Sequence, residues 1–134
     1  MGKVQILAVL TMDGCLSSEL YDKAHQDLCL DRCGLDEIRK KAFYRVTPDY
    51  SISMLHEWRK DCTNIRYLAE ATPDTADYIN GLLRMHAVDE NILYTVPFIA
   101  GTGRHFFKSA LPEQHWTLSS LKSYSNGVCR IIYI

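Results

Sequence analysis

The sequence predicts an α/β sandwich whose sheet is mostly parallel with one antiparallel edge. Three observations carry this. Short apolar runs alternate with segments of helical period, the runs are rich in branched residues, and the last two runs meet at Ser125-Asn126-Gly127, where Asn-Gly marks a hairpin. At 134 residues, with 47% hydrophobic and 23% charged content, the chain reads as one globular domain over 1–134. A net charge of -1 offers no general attraction for nucleic acid or anionic membrane.

"KVQILAVLT", Lys3 to Thr11, reads as a strand covered on both faces and closed by a turn at Met12-Asp13-Gly14. Ser17 to Ala42 follows a helical pattern interrupted by Gly34. "AFYRVT" is a candidate second strand stopped at Pro48-Asp49. "SISMLHEWRK" is a short helix with Ile52, Leu55 and Trp58 inward. Asn64 to Glu70 reads as the third strand. The helix that follows has Thr72 as N-cap, Pro73 at its first position and Asp74 and Asp77 at the positive end of its dipole. "NILYTVPFIAG" is the fourth strand, and Pro97 inside it requires an edge, a bulge or an earlier end. "HWTLSSLKSY" and "GVCRIIYI" form the closing hairpin.

No run approaches the length of a membrane span and no signal peptide is recognisable, so a soluble, cytoplasmic protein is expected. The five cysteines are odd in number and scattered, and read as reduced thiols. His25, Cys29 and Cys33 recur every four residues. Without a fourth ligand they read as helix thiols with no metal, a zinc domain being the minor alternative.

Three segments in order carry a family resemblance, the last of them the closing strand "GVCRIIYI". "TMDGCLS" resembles the opening motif of the dihydrofolate reductase-like family, in particular the reductase domain of the bifunctional riboflavin-synthesis deaminase-reductase. "LLRMHAVDENILYTVPFIAGTGRHFF", Leu82 to Phe107, is similar to that family's hallmark stretch. The resemblance covers about half of the chain and is poor between Asp31 and Asn64. It implies a three-layer sandwich and NADPH-dependent reduction of a pterin-like or ribosylaminopyrimidine-like compound. It also implies a homodimer, to which the apolar tail would lend a sheet edge.

By the same resemblance Asp13 and Glu70 are the candidate catalytic residues. Each also has a plain reading, Asp13 as an Asx turn and Glu70 as a solvated strand end. Thr72 and Thr75 are candidate cofactor contacts, because free amides at a helix start attract anions, or else simply caps. Gly101 and Gly103 are read first as backbone devices and second as ligand neighbours. Arg104 and His105 follow as surface residues. Where the family carries a run of glycines after Glu70, this chain has Ala71 and Thr72, whose β-carbons restrict φ and take up space beside a pyrophosphate. "YRVTPDYS" is at best a remnant of the family's second strand and its phosphate loop. The alternative function is a non-catalytic binding or assembly module that has lost the cofactor site.

Overall fold

A computed structural model of the chain describes residues 2–16, 33–61, 64–97, 99, 101, 105–107 and 111–134. Residues 17–32 of the helical pattern expected over Ser17 to Ala42, with His25 and Cys29, lie outside them, as do Gly103 and Arg104. Among the described residues six strands form one sheet: β1 Lys3–Leu10, β2 Tyr44–Arg45, β3 Arg66–Glu70, β4 Glu90–Thr95, β5 Leu118–Ser123 and β6 Cys129–Tyr133. Three helices accompany them within the same residues, α1 Leu35–Lys41, α2 Ile52–Asp61 and α3 Ala76–Arg84. The strand order is β2-β3-β1-β4-β6-β5. The first four are mutually parallel, and β6 reverses against β4.

β1 sits between β3 and β4, which explains why seven of its eight residues are buried. Its Val4, Ile6, Ala8 and Leu10 pack on the face that holds Leu55 of α2 and Ile79, Leu82 and Leu83 of α3. Its Leu7 and Val9 face Leu35 of α1, along with Ile92 and Tyr94. Alternation along a strand thus divides the core into two layers, giving the three-layer sandwich. In α2, Leu55 is fully buried while Ile52 and Trp58 pack against the same cluster, as their spacing predicts.

Two boundaries differ from the sequence expectation. β2 is only two residues long and exposed, because it stands at the sheet edge with neighbours on one side. β4 ends at Thr95 between β1 and β6, so the third alternative for Pro97 holds: the strand stops before it. A proline there removes no ladder hydrogen bond. The hairpin turns through Ser125, Asn126 and Gly127. The Tyr124 N–H donates to the Val128 carbonyl at 2.9 Å, and Asn126 Oδ1 accepts from the Val128 N–H at 3.2 Å. Gly127 has φ of 89°, a left-handed conformation that favours glycine, and a β-carbon there would crowd Pro97 Cγ at 3.1 Å.

Candidate functional site

The carboxyl ends of parallel strands are where ligands collect in open α/β sheets, and this edge holds the expected site residues. Asp13 lies in the turn that leaves β1. The Thr11 hydroxyl donates to its Oδ1, and the backbone N–H of Gly101 donates to its Oδ2 at 3.1 Å. The turn is closed by the Gly14 N–H on the Thr11 carbonyl at 3.0 Å and by the Cys15 N–H on Thr11 Oγ1 at 3.1 Å. Asp13 therefore ties the end of β1 to the segment that follows β4. Burial, and secondarily the Asp13 charge, push the neighbouring Cys15 thiol up from its ordinary range. Gly101 has φ of 75°, a left-handed conformation that favours glycine, and its amide is used by Asp13. His105 is exposed and forms an isolated antiparallel bridge with Cys15.

Glu70 ends β3 and faces α1. The Arg39 guanidinium holds both of its oxygens, with Nη2 on Oε1 and Nε on Oε2 at 3.3 Å, and Arg45 Nη1 stands 3.5 Å from Oε2. The carboxylate is a partly buried bridge between β3, α1 and β2. Neither arginine was singled out from sequence, since their juxtaposition depends on the layers coming together.

Beyond Glu70 the chain enters α3 through a turn. The regular helix begins at Ala76, later than expected, and Thr75 at its boundary makes no side-chain cap bond there. Thr72 still caps that turn. The Thr75 N–H donates to Thr72 Oγ1 at 3.2 Å, and the Thr72 N–H donates to Thr75 Oγ1 at 2.8 Å. The Ala76 N–H bonds the Thr72 carbonyl at 2.9 Å, and Thr75 Oγ1 donates to the Glu70 carbonyl at 2.8 Å. This is a reciprocal box in which a threonine takes the usual Glu place. The amides of Ala71, Thr72, Thr75 and Ala76 all have partners within the chain. Asp13, Glu70 and the threonine pair thus share one edge of the sheet, each committed to different neighbours.

A second polar group near this edge was also missed from sequence. Tyr94, near the end of β4, and Tyr124 both donate to the Cys33 carbonyl, at 2.8 and 2.7 Å. Burial pushes the Tyr94 phenol up to about 12, against the lowering pull of Arg130. Among the described residues no group of three His, Cys, Asp or Glu side chains is placed to hold a metal ion. Nor is any helix long and apolar enough to cross a membrane.

No family model matches the chain, and no curated protein matches it. Solved structures do. A protein from Shewanella sp. PV-4 described as a riboflavin biosynthesis protein superposes with TM-score 0.59 at 10% identity, over 98% of this chain and 97% of its own. Acinetobacter baumannii RibD gives TM-score 0.54 at 12% identity, over 100% of this chain and 58% of its own. The Thermotoga maritima diaminohydroxyphosphoribosylaminopyrimidine deaminase/5-amino-6-(5-phosphoribosylamino)uracil reductase gives 0.50 at 11% identity, over 98% and 56%. This chain therefore spans little more than half the length of those last two. With its β4-β6-β5 antiparallel side and helices on both faces, the chain has the fold of the dihydrofolate reductase-like riboflavin-biosynthesis reductases.

Proposed function

We propose that this chain is a descendant of the riboflavin-type reductases that keeps the scaffold as a non-catalytic binding or assembly module and no longer seats NADPH in the ordinary way. The observation that carries this reading is the helix start after β3. A pyrophosphate there needs unpartnered amides and room for close backbone approach. Here Thr72 and Thr75 close on one another's amides, and side chains occupy positions 71 and 72. Asp74 and Asp77 add negative charge at the same end. The residues present do not fit the cofactor's phosphates.

A second reading is an NADPH-dependent reductase acting on a pterin-like or ribosylaminopyrimidine-like compound. Asp13 and Glu70 favour it, because both end or follow parallel strands on the ligand-collecting edge. Titration with NADPH and NADP, followed by thermal shift, separates the two. Binding a thousandfold above Kd would stabilise the fold by roughly 4 kcal/mol. The module reading expects no shift at millimolar nucleotide, and a saturable rise would return the chain to the reductases. Homodimer formation through β5 belongs to the same reading, since Leu118 and Leu121 stand 53% and 62% exposed on that edge. A light-scattering mass of one chain at high concentration would count against it.

A further inference from the structure

At the sheet edge farthest from β5, the start of β2 gathers cations around exposed aromatic rings. The segment "RKKAFYR", Arg39 to Arg45, leaves the last turn of α1 with Lys40 and Lys41 and enters β2 through Phe43 and Tyr44. Lys3 of β1 pairs with Arg66 of β3, and Tyr44 pairs with Tyr67. The Phe43 N–H donates to the Arg66 carbonyl at 2.9 Å. The starts of three parallel strands thus bring Lys3, Arg66 and Phe43 into one row, next to the lysine pair. Lys3 and Arg66 also help to line a small hollow of about 190 Å³ at the same end.

The four cations Lys3, Lys40, Lys41 and Arg66 are exposed, and none has a carboxylate within ion-pair distance among the described residues. Acids near the start of β4 are engaged elsewhere. Asp89 accepts from Arg59 Nη1 and from the Val4 N–H, both at 2.9 Å, and Glu90 accepts from Gln5 Nε2 at 2.9 Å. Asp36 and Glu37 stand in the first turn of α1, away from the lysines of its last turn. Among these cations two large rings are left in water, Phe43 at 68% and Tyr44 at 44% exposed. Their centroids lie 4.9 Å apart at a steep angle, and Tyr44 stacks on buried Tyr67 at 5.5 Å and 12°. Tyr67 is in turn stacked on Trp58 at 6.3 Å, so the exposed platform is backed by packed rings. A lone exposed aromatic means little. Two supported rings amid unpaired cations are what single-stranded nucleic acid uses, its bases stacking while its phosphates meet the charges. An acidic peptide would use the charges and leave the rings without a flat partner.

We propose that this edge binds single-stranded nucleic acid, with bases on Phe43 and Tyr44 and phosphates at Lys3, Lys40, Lys41 and Arg66. The net charge of -1 gives the whole chain no such attraction, so the interaction is local, weak and tolerant of sequence. It does not depend on the reading of the carboxyl edge, because Lys3 and Arg66 are the first residues of β1 and β3.

The test uses the intact chain and fluorescently labelled strands, followed by anisotropy. One probe is a thymidine oligomer of about 12 nucleotides, within the span of such sites; the other is an abasic oligomer of equal length and charge. The thymidine strand is expected to bind with a Kd of roughly 10⁻⁴–10⁻⁶ M. It should bind roughly tenfold more tightly than the abasic strand, as the stacking of one base requires. Log affinity should fall against log salt with a slope of about -3, from four phosphate contacts on a single strand. Phe43→Ala should lower the preference for bases and keep the salt slope, whereas Lys41→Gln should make the slope shallower by about 0.7 and keep the preference. Lys122→Gln, on β5 at the far edge, should change neither, and a loss there equal to that of Lys41→Gln overturns the proposal as general attraction. Equal affinity for the two strands overturns it without recourse to any variant, as does the absence of binding at submillimolar protein. Displacement of the thymidine strand by polyglutamate of equal charge also overturns it, since the edge would then belong to acidic peptides.

Discussion

At the carboxyl edge of the parallel strands, polar groups that resemble a reductase site are bonded to the protein itself. Asp13 holds the Gly101 amide, Glu70 holds Arg39 and Arg45, and Thr72 and Thr75 hold each other. At the amino edge the pattern reverses, and Leu83, Leu93, Leu111 and Trp116 help to line a mainly apolar cavity of about 470 Å³. Chemical identity makes a residue a candidate for function, but free hydrogen-bonding capacity decides whether a ligand gains anything by binding. By that measure the edge chosen on resemblance is the more self-contained of the two.

The largest perturbation should come from Phe106, which stands between the edges. It is fully buried, its N–H approaches the Gly14 carbonyl at 3.3 Å, and its carbonyl accepts from Asn80. Phe106→Ala should cost about 3–5 kcal/mol by urea denaturation with an unchanged slope. It should also broaden the side-chain N–H resonance of Trp116, because Phe107 is part of the cavity wall. A loss below about 1 kcal/mol would mean that the segment is not anchored there, and that the edges are independent.

Tyr94→Phe tests how far the carboxyl edge is knit by its own bonds. Losing the hydroxyl bond to the Cys33 carbonyl should cost about 1 kcal/mol at neutral pH. The phenol is raised from its ordinary 10 to about 12, so the folded state holds this proton more tightly than the unfolded one. The associated stability is complete below pH 10 and is lost as pH rises through 12. Melting temperatures recorded between pH 9 and 11.5 should therefore fall less steeply in the phenylalanine variant. Parallel slopes would remove Tyr94 from this account.

The smallest effect is expected for Arg39→Ala. Its pair with Glu70 is only partly buried, with side chains 20% and 25% exposed, so about 0.5–1 kcal/mol is expected, reduced by added salt. Glu70→Gln should produce a similar loss. If both variants melt like the parent chain, Glu70 is not a structural bridge, and its availability to a ligand regains weight.

Much of the architecture was legible because its signals are local. The mainly apolar run of β1 announces a strand covered on both faces, and Ser125-Asn126-Gly127 announces the hairpin. The spacing of Ile52, Leu55 and Trp58 correctly gives the inner side of α2. Local rules were less secure where two residues offered the same chemistry. Thr72 and Thr75 can each cap, and only the assembled turn distributes the roles.

The sites were less legible, because their decisive partners are remote. Arg39 and Glu70 lie 31 positions apart, and nothing in either segment points to the other. Asn91 in "NILYT" reads as an ordinary polar residue near the start of a strand. Its burial, at 5% exposed, follows from the strands paired on both sides of β4. The resemblance anticipated the fold class correctly, while the surroundings of Glu70 come from the region where likeness was poor.

The placement of β1 at the centre also governs how the chain can reach this fold. Its partners in β4 lie 85 positions away, as in the pairing of Gln5 with Glu90, so closing that loop precedes any reward from the ladder. Such topologies fold in milliseconds to seconds rather than microseconds. During that interval the apolar run Val4–Leu10 has no cover, making it the segment most exposed to capture by another unfolded copy.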